Sequence, residues 1–267
     1  MEPAGASALV TGASGGLGRA ISKGLAAAGA DLVLSGRDEH RLGPIAAETG
    51  AGTIIADLGG DLAELVAAAA DVEVLVLNAA VDGGARIEDD TLDHADEVVR
   101  VNLTSAIALS TAFAQGRIRA GSPGHLVLIG SVAGLAASPL HRLYNASKFG
   151  LRGFGLALRQ DLAPRGVGVT VVTPAYIRDA GMFADSGISL PWFVRTKSPQ
   201  DVADAVLRAI RTNPAEIFVA APELRLAAVV ATVAPGLAAW AHGHLGMDEE
   251  VGRARRSAPD HEQVGQR

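Results

Sequence analysis

Apolar residues along this chain follow two rhythms. Short runs rich in β-branched residues, "SALVTG", "DLVLSG", "GTIIAD", "VEVLVLNAA", "GHLVLIGS", "GVTVVTPA" and "EIFVAA", alternate with longer stretches whose apolar positions recur every three to four residues. A strand covered on both faces needs a continuous apolar run, and a covering helix needs only one apolar stripe. Seven such runs separated by helical patterns therefore predict an α/β fold, a doubly wound parallel seven-stranded sheet with helices on both faces. After the first run, Leu17, Ala20, Ile21, Gly24, Leu25 and Ala28 share one helical face. Late in the chain, "SPQDVADAVLRAIRTN" repeats the pattern with Val202, Ala205, Val206, Ala209 and Ile210, and Ser198 followed by Pro199 marks its start.

Three stretches fit neither rhythm. Residues 176–197, "YIRDAGMFADSGISLPWFVRTK", are too long for a simple connector and carry aromatics of exposed type, which makes them a candidate lid. Leu226 to Ala241 carries no charge, yet as a helix it measures about 24 Å, short of the roughly 30 Å of a bilayer core, and Pro235-Gly236 interrupts it. A buried or subunit-contacting helix is expected there, with contact to a membrane surface by residues 224–246 as the alternative. Beyond Met247 the chain is polar and aperiodic, as in a frayed tail. The expected organisation is a catalytic domain over 1–223, a helical extension over 224–247 and a disordered tail over 248–267.

Composition narrows the chemistry. A formal net charge of -6 over 267 residues gives no electropositive field for nucleic acid. With no cysteine, a disulfide framework, thiolate catalysis and cysteine metal sites are excluded, and a reducing cytoplasm is the expected setting. The N-terminus, "MEPAGASALVTG", lacks the basic segment of a secretory signal.

"TGASGGLG", Thr11 to Gly18, directly follows the first strand and opens the first helix. Gly12, Gly16 and Gly18 permit a tight turn, close approach of backbone to a pyrophosphate and close packing of helix on strand, which points to a Rossmann-type dinucleotide site. NAD sites usually carry Asp or Glu at the end of the second strand, whereas this chain reads Ser35-Gly36-Arg37. A small residue followed by a guanidinium leaves room for a 2′-phosphate and a donor fork to hold it, so NADP(H) is favoured over NAD(H). The alternative makes Arg37 a solvated helix-start residue and gives the acid's work to Asp38. Asp57 and Leu58 follow the third strand, where they meet the adenine or cap the next helix.

Tyr144 is one of two tyrosines and stands four residues before Lys148, so the two project from one helical face. A phenol must fall by roughly three pKa units, about 4 kcal/mol, to exchange protons near neutrality. A cation about 5 Å away at an effective dielectric near 20 supplies about 3 kcal/mol of that. Thirteen residues upstream, Ser131 ends the fifth strand, on the side where open α/β sheets collect their ligand chemistry.

"TGASGGLG", "LNAA", "VNL", "GSVAG" and "YNASK", in this order over residues 5 to about 221, resemble the short-chain dehydrogenase/reductase family in its shorter, single-domain branch. The resemblance implies an oxidoreductase with Tyr144 as general acid/base. Lys148 would tune Tyr144 and bond the nicotinamide ribose, Ser131 would hold the carbonyl, and Asn102 would anchor a water in the proton relay. It also implies cofactor contacts from Gly12, Ser14, Gly16, Leu17, Gly18, Arg37, Asp57, Leu58, Asn78, Ala79, Tyr144, Lys148, Pro174 and Ile177, no metal, and a homodimer or homotetramer. Three departures stand out. Ala80 replaces a usual glycine, Ala175 replaces the glycine after Pro174, and Asp179 stands where a threonine helps hold the carboxamide.

Ala133, Leu135, Ala136, Tyr176, Met182, Phe183, Trp192 and Phe193 are the candidate walls of a mostly apolar substrate site, although each also reads as ordinary core. The expected substrate is an apolar ketone, aldehyde or secondary alcohol. The rival reading is a dinucleotide-binding regulatory or scaffold protein without turnover.

Overall fold

The computed structural model describes residues 1–181 and 195–237 together with Ala184 and Trp240. Seven strands, β1 (Ser7–Thr11), β2 (Asp31–Gly36), β3 (Gly52–Ile55), β4 (Val74–Leu77), β5 (Gly124–Ile129), β6 (Val167–Pro174) and β7 (Glu216–Val219), form one sheet in the order β3-β2-β1-β4-β5-β6-β7. All six pairings are parallel, as the apolar runs require. The order reverses between β1 and β4, which opens a crevice at the carboxyl ends of those two strands.

Period-two alternation divides the core between the two faces. Ala8 and Val10 of β1, Val74 and Val76 of β4, and Val127 and Ile129 of β5 meet α1 (Gly16–Ala27), α2 (Glu39–Thr49) and the late helix α7 (Pro199–Thr212). Leu9, Leu75, Leu77, Leu126 and Leu128 face the other way, toward α3 (Ala63–Asp71), α5 (Ser105–Ala120) and α6 (Arg142–Leu162). Both faces of the sheet are thus sealed, and every residue of β6 is buried.

α4 (Leu92–Val99) runs into α5 through one π-helical turn, Arg100–Thr104. Among the described residues three α-helices are capped by side chains, and the cap of α7 is the start signal read from sequence. Asp38 caps α2 by accepting from Arg41 N, Thr91 caps α4, and Ser198 and Asp201 form a reciprocal capping box on α7. α1 is different, because its cap is Gly15, with no side-chain hydrogen bond and no acid in the first turn.

The last described helix, α8 (Pro222–Val233), departs from the buried alternative and is compatible with the subunit-contacting one. Only Ala228 and Ala231 of it are buried, while Leu226 is 66% and Val233 78% exposed. It lies along the surface because the sheet faces are already filled by α1, α7 and α6. Among the described residues no helix is long and apolar enough to cross a membrane.

Candidate active site

The crevice floor is set by glycines at places where a side chain does not fit. Gly12 has φ +64°, and a Cβ there would stand 2.7 Å from the Ala79 Cα. On Gly18 it would stand 2.1 Å from the Gly12 carbonyl oxygen, so that turn and α1 can meet only through glycine. Asn78 locks the loop from β4 by donating through Nδ2 to the carbonyls of Thr11 and Gly12, both at 3.1 Å. The backbone amides of Asn78 and Ala79 donate in turn to Thr11 Oγ1. The uncapped first turn of α1 therefore opens beside this loop, with amide hydrogens that no side chain among the described residues caps. A pyrophosphate fits that donor set.

At the end of β2, Gly36 packs within van der Waals reach of Ser14 and Arg37 is exposed. Asp38 is occupied as the α2 cap, and Arg37 remains outside the helix. A second cation lies here that the sequence reading passed over. Arg19, one residue past the glycine motif, donates to Ser14 O at 3.1 Å and to Arg41 O at 3.2 Å, tying the loop to α2. Its signal was positional only, an arginine on the first turn of α1. After β3, Asp57 accepts from Gly59 N at 2.9 Å and Leu58 is buried. Because α3 begins only at Ala63, Asp57 holds its own turn and does not cap that helix.

Ser131, Tyr144 and Lys148 come together beyond the end of β5. Ser131 caps a short 3-10 turn, Val132–Gly134, by accepting from Ala133 N at 3.1 Å. Lys148 is fully buried on α6 and donates to Ile129 O at 3.0 Å, with Nζ 5.6 Å from the Tyr144 ring centroid. Burial pushes the Tyr144 phenol up to about 12, the Ser131 hydroxyl pulls against it and the Asp82 carboxylate adds to it. Burial also pushes Lys148 down to about 8. In the chain alone burial is the leading cause for both groups. Two groups sharing a low-dielectric site each resist charge, and that outweighs their pairing. A hydroxyl, a phenol and an amine so arranged can hold a carbonyl oxygen and give it a proton.

Asn102 lies in the π turn, a form common at functional sites. Its side chain grips the Val81 peptide from both sides, accepting from Val81 N at 2.8 Å and donating to Val81 O at 2.9 Å. The second Nδ2 hydrogen reaches Ser147 Oγ at 3.2 Å. Gly83 is pressed onto the same turn of α6, where a Cβ would stand 2.7 Å from Tyr144 N. Both contacts fix the crevice wall, and neither Ser147 nor Gly83 was singled out in sequence.

Pro174 ends β6, and Ile177 is buried and bridged to Lys197. Hydrogen bonds from Lys197 N to Tyr176 O and from Arg178 N to Lys197 O join the two ends of the expected lid. Asp179 takes φ +68° and pairs with Arg178, and Ala180 then crosses so near Gly16 that a Cβ there would meet it at 2.3 Å. Ala133, Leu135 and Ala136 lie in the loop after Ser131, and Tyr176 follows Pro174 at the carboxyl end of β6, its carbonyl accepting from Lys197 N. Met182, Phe183, Trp192 and Phe193 lie outside the described residues.

A family model described as short chain dehydrogenase matches residues 6–188. The chain belongs to the short-chain dehydrogenase/reductase family. Among relatives, it is 32% identical over 226 residues to the ketoacyl reductase HetN of Nostoc sp., covering 80% of this chain and 78% of that protein. It is also 32% identical over 253 residues to dehydrogenase/reductase SDR family member 7B of Xenopus laevis, covering 86% and 78%. Among solved structures, an actinorhodin polyketide ketoreductase variant with NADPH superposes with a TM-score of 0.72 at 26% identity, over 81% of this chain and 96% of that one. This short-chain dehydrogenase/reductase is an oxidoreductase, and its seven-stranded parallel sheet matches the structures of its family.

Proposed function

We propose that the protein is an NADP-preferring reductase or dehydrogenase of an apolar carbonyl or secondary alcohol, with Tyr144 as general acid/base. The observation that carries this reading is the convergence of Ser131, Tyr144 and Lys148 beside the glycine loop, at the carboxyl end of β5. A nicotinamide dinucleotide, when bound, would supply or accept the hydride. Gly12, Ser14, Gly16, Leu17 and Gly18 would hold its pyrophosphate, Asn78, Ala79, Pro174 and Ile177 its nicotinamide half, and Asp57 and Leu58 its adenine.

For reduction, Ser131 donates to the substrate oxygen and Tyr144 transfers its proton to that oxygen as the carbon gains hydride. Tyr144 is then reprotonated from solvent. A phenol pushed up to about 12 is protonated at neutral pH but is a weak acid, so its proton transfer draws on positive charge standing beside it as the phenolate forms. Positive charge on Lys148 and on an oxidised nicotinamide lowers the cost of the phenolate for the reverse direction. Both Nδ2 hydrogens of Asn102 are already used, so a water anchored at the π turn is held by the backbone carbonyl.

Two features support NADP(H): the exposed Arg37 with Arg19 nearby, and the use of Asp38 as a cap. The apolar run Ala133, Leu135 and Ala136 in the loop after Ser131, with an NADPH-bound polyketide ketoreductase among similar structures, supports an apolar carbonyl substrate. Self-association is supported by the outer face of α6, where Phe149 is 42% exposed and open space surrounds Gly153.

The test is oxidation of NADPH and NADH by the purified protein across a panel of apolar ketones and aldehydes, with Arg37→Ala run beside the wild type. Turnover with NADPH is expected, and Arg37→Ala raises the NADPH dissociation constant about tenfold or more while NADH changes less than about twofold. Equal losses for the two cofactors overturn the 2′-phosphate assignment. Absence of turnover on every carbonyl and alcohol overturns the reductase reading.

A further inference from the structure

The residue after Tyr144 is Asn145, and its amide reaches away from the crevice into the loop that follows Ser131. Nδ2 donates to Ala133 O at 2.8 Å and to Ala136 O at 3.1 Å. Oδ1 accepts from Ser138 N at 3.1 Å and lies 3.4 Å from Ser138 Oγ. A carboxamide has two hydrogens to give and two lone pairs to offer, and all four are engaged here, with the side chain buried. Successive residues of a helix point about 100° apart, so one turn of α6 presents Tyr144 to the crevice and Asn145 to the loop.

The geometry points to Asn145 as a positioning residue: its amide fixes the Ala133–Ser138 loop so that the Ser131 hydroxyl donates into the space that Tyr144 faces. The link runs through Ala133. Its carbonyl is held by Asn145 and its N–H donates to Ser131 Oγ at 3.1 Å. A serine oxygen that accepts this bond keeps its single proton for another partner, the substrate oxygen. The same loop is seated on α6 where Gly134 meets the Lys148 carbonyl, at 2.8 Å from the position of an added Cβ. On its outer side Thr232 Oγ1 of α8 lies 3.3 Å from Leu135 O and 3.0 Å from Ala228 O, with one proton between the two. Asn145 is the polar side chain that ties this loop to the helix of the general acid. It acts without touching substrate, and the inference rests on the reductase reading above.

The experiment is a double-mutant cycle of Asn145→Ala and Ser131→Ala on the full chain, with NADPH and ethyl acetoacetate as the probe. Asn145→Ala is expected to lower kcat about 30-fold with KM for NADPH changed less than about twofold, and to cost less than about threefold once Ser131 is already alanine. Asn145→Asp retains the acceptor for Ser138 but cannot donate while ionised, so its kcat relative to wild type rises as pH falls from about 7 to about 5 and one donor returns. Hydrogen exchange of the free proteins supplies a readout without turnover. Amides of residues 132–138 exchange about tenfold faster in Asn145→Ala, and those of 12–18 are unchanged. Effects that multiply in the double mutant, or exchange that rises everywhere or nowhere, overturn the inference. If the wild type binds NADPH yet reduces no carbonyl, the reductase reading fails, and the exchange pattern alone decides the role of Asn145.

Discussion

Two clusters of buried ionisable side chains lie at opposite ends of β5 and β6, and both are shifted by burial. At the carboxyl end are Tyr144 and Lys148, above Ile129 and Ser131. At the amino end is His125, its Nε2 3.1 Å from Thr170 Oγ1, which in turn donates to Pro214 O at 2.6 Å. Because Thr170 spends its one proton on Pro214, His125 must donate to Thr170, which fixes its tautomer. Burial first, then the charges of the chain terminus and Arg159, holds this imidazole down at about 4. Arg159 closes that end by donating to Val169 O and to the side chain and backbone of Asn213. The lesson is that a perturbed pKa does not by itself mark a reactive site. At the amino end the polar groups are turned on the protein's own backbone, whereas at the carboxyl end a hydroxyl and a phenol face a crevice.

The largest expected separation between the two ends is in turnover. Tyr144→Phe should lower kcat by about 10³-fold with cofactor affinity changed less than about threefold, while His125→Gln changes kcat less than about twofold. Steady-state kinetics with fluorescence titration of NADPH measures both, and a comparable loss in His125→Gln would break the distinction.

Next in size is the pH dependence of stability. The folded chain holds His125 neutral down to about 4, against about 6.5 when unfolded, so protons bind the unfolded state first. The stabilisation is complete above about 6.5 and disappears as pH falls toward about 4, amounting to about 3 kcal/mol. Urea unfolding at pH 7 and pH 4.5 should show this loss in the wild type and a smaller one in His125→Gln. Smaller again is the effect of Gly168→Ala, whose Cβ would lie 2.4 Å from His125 Nδ1. The ring is buried and hydrogen-bonded and cannot swing aside, so a loss of about 2 kcal/mol is expected in urea melts, without change in KM.

Much of this was legible along the chain because it is local. The β-branched runs became the seven strands, and glycine spacing marked a loop whose turn tolerates no side chain at Gly12 or Gly18. Ser198-Pro199 began α7 as its cap signal indicates. Tyr144 and Lys148 could be paired because a helix fixes the relation of residues four apart. The exposure of α8 was not legible, since an uncharged run reads the same whether or not another element covers it. Nor was the effect of burial on Tyr144, which depends on everything packed around the phenol.

The sequence by itself determined the alternation of strands and helices, the parallel sheet and the glycine turn, each built from short local patterns, and the family through five short motifs in order. Tertiary structure decided which separate elements meet, near or far along the chain: Asn145 with the loop of Ser131, Asn102 with Val81, Arg19 with the start of α2, and Ala180 with Gly16. Those contacts follow from strand order and helix packing, and hydrogen bonds and close contacts have to be satisfied in three dimensions whatever their distance along the chain.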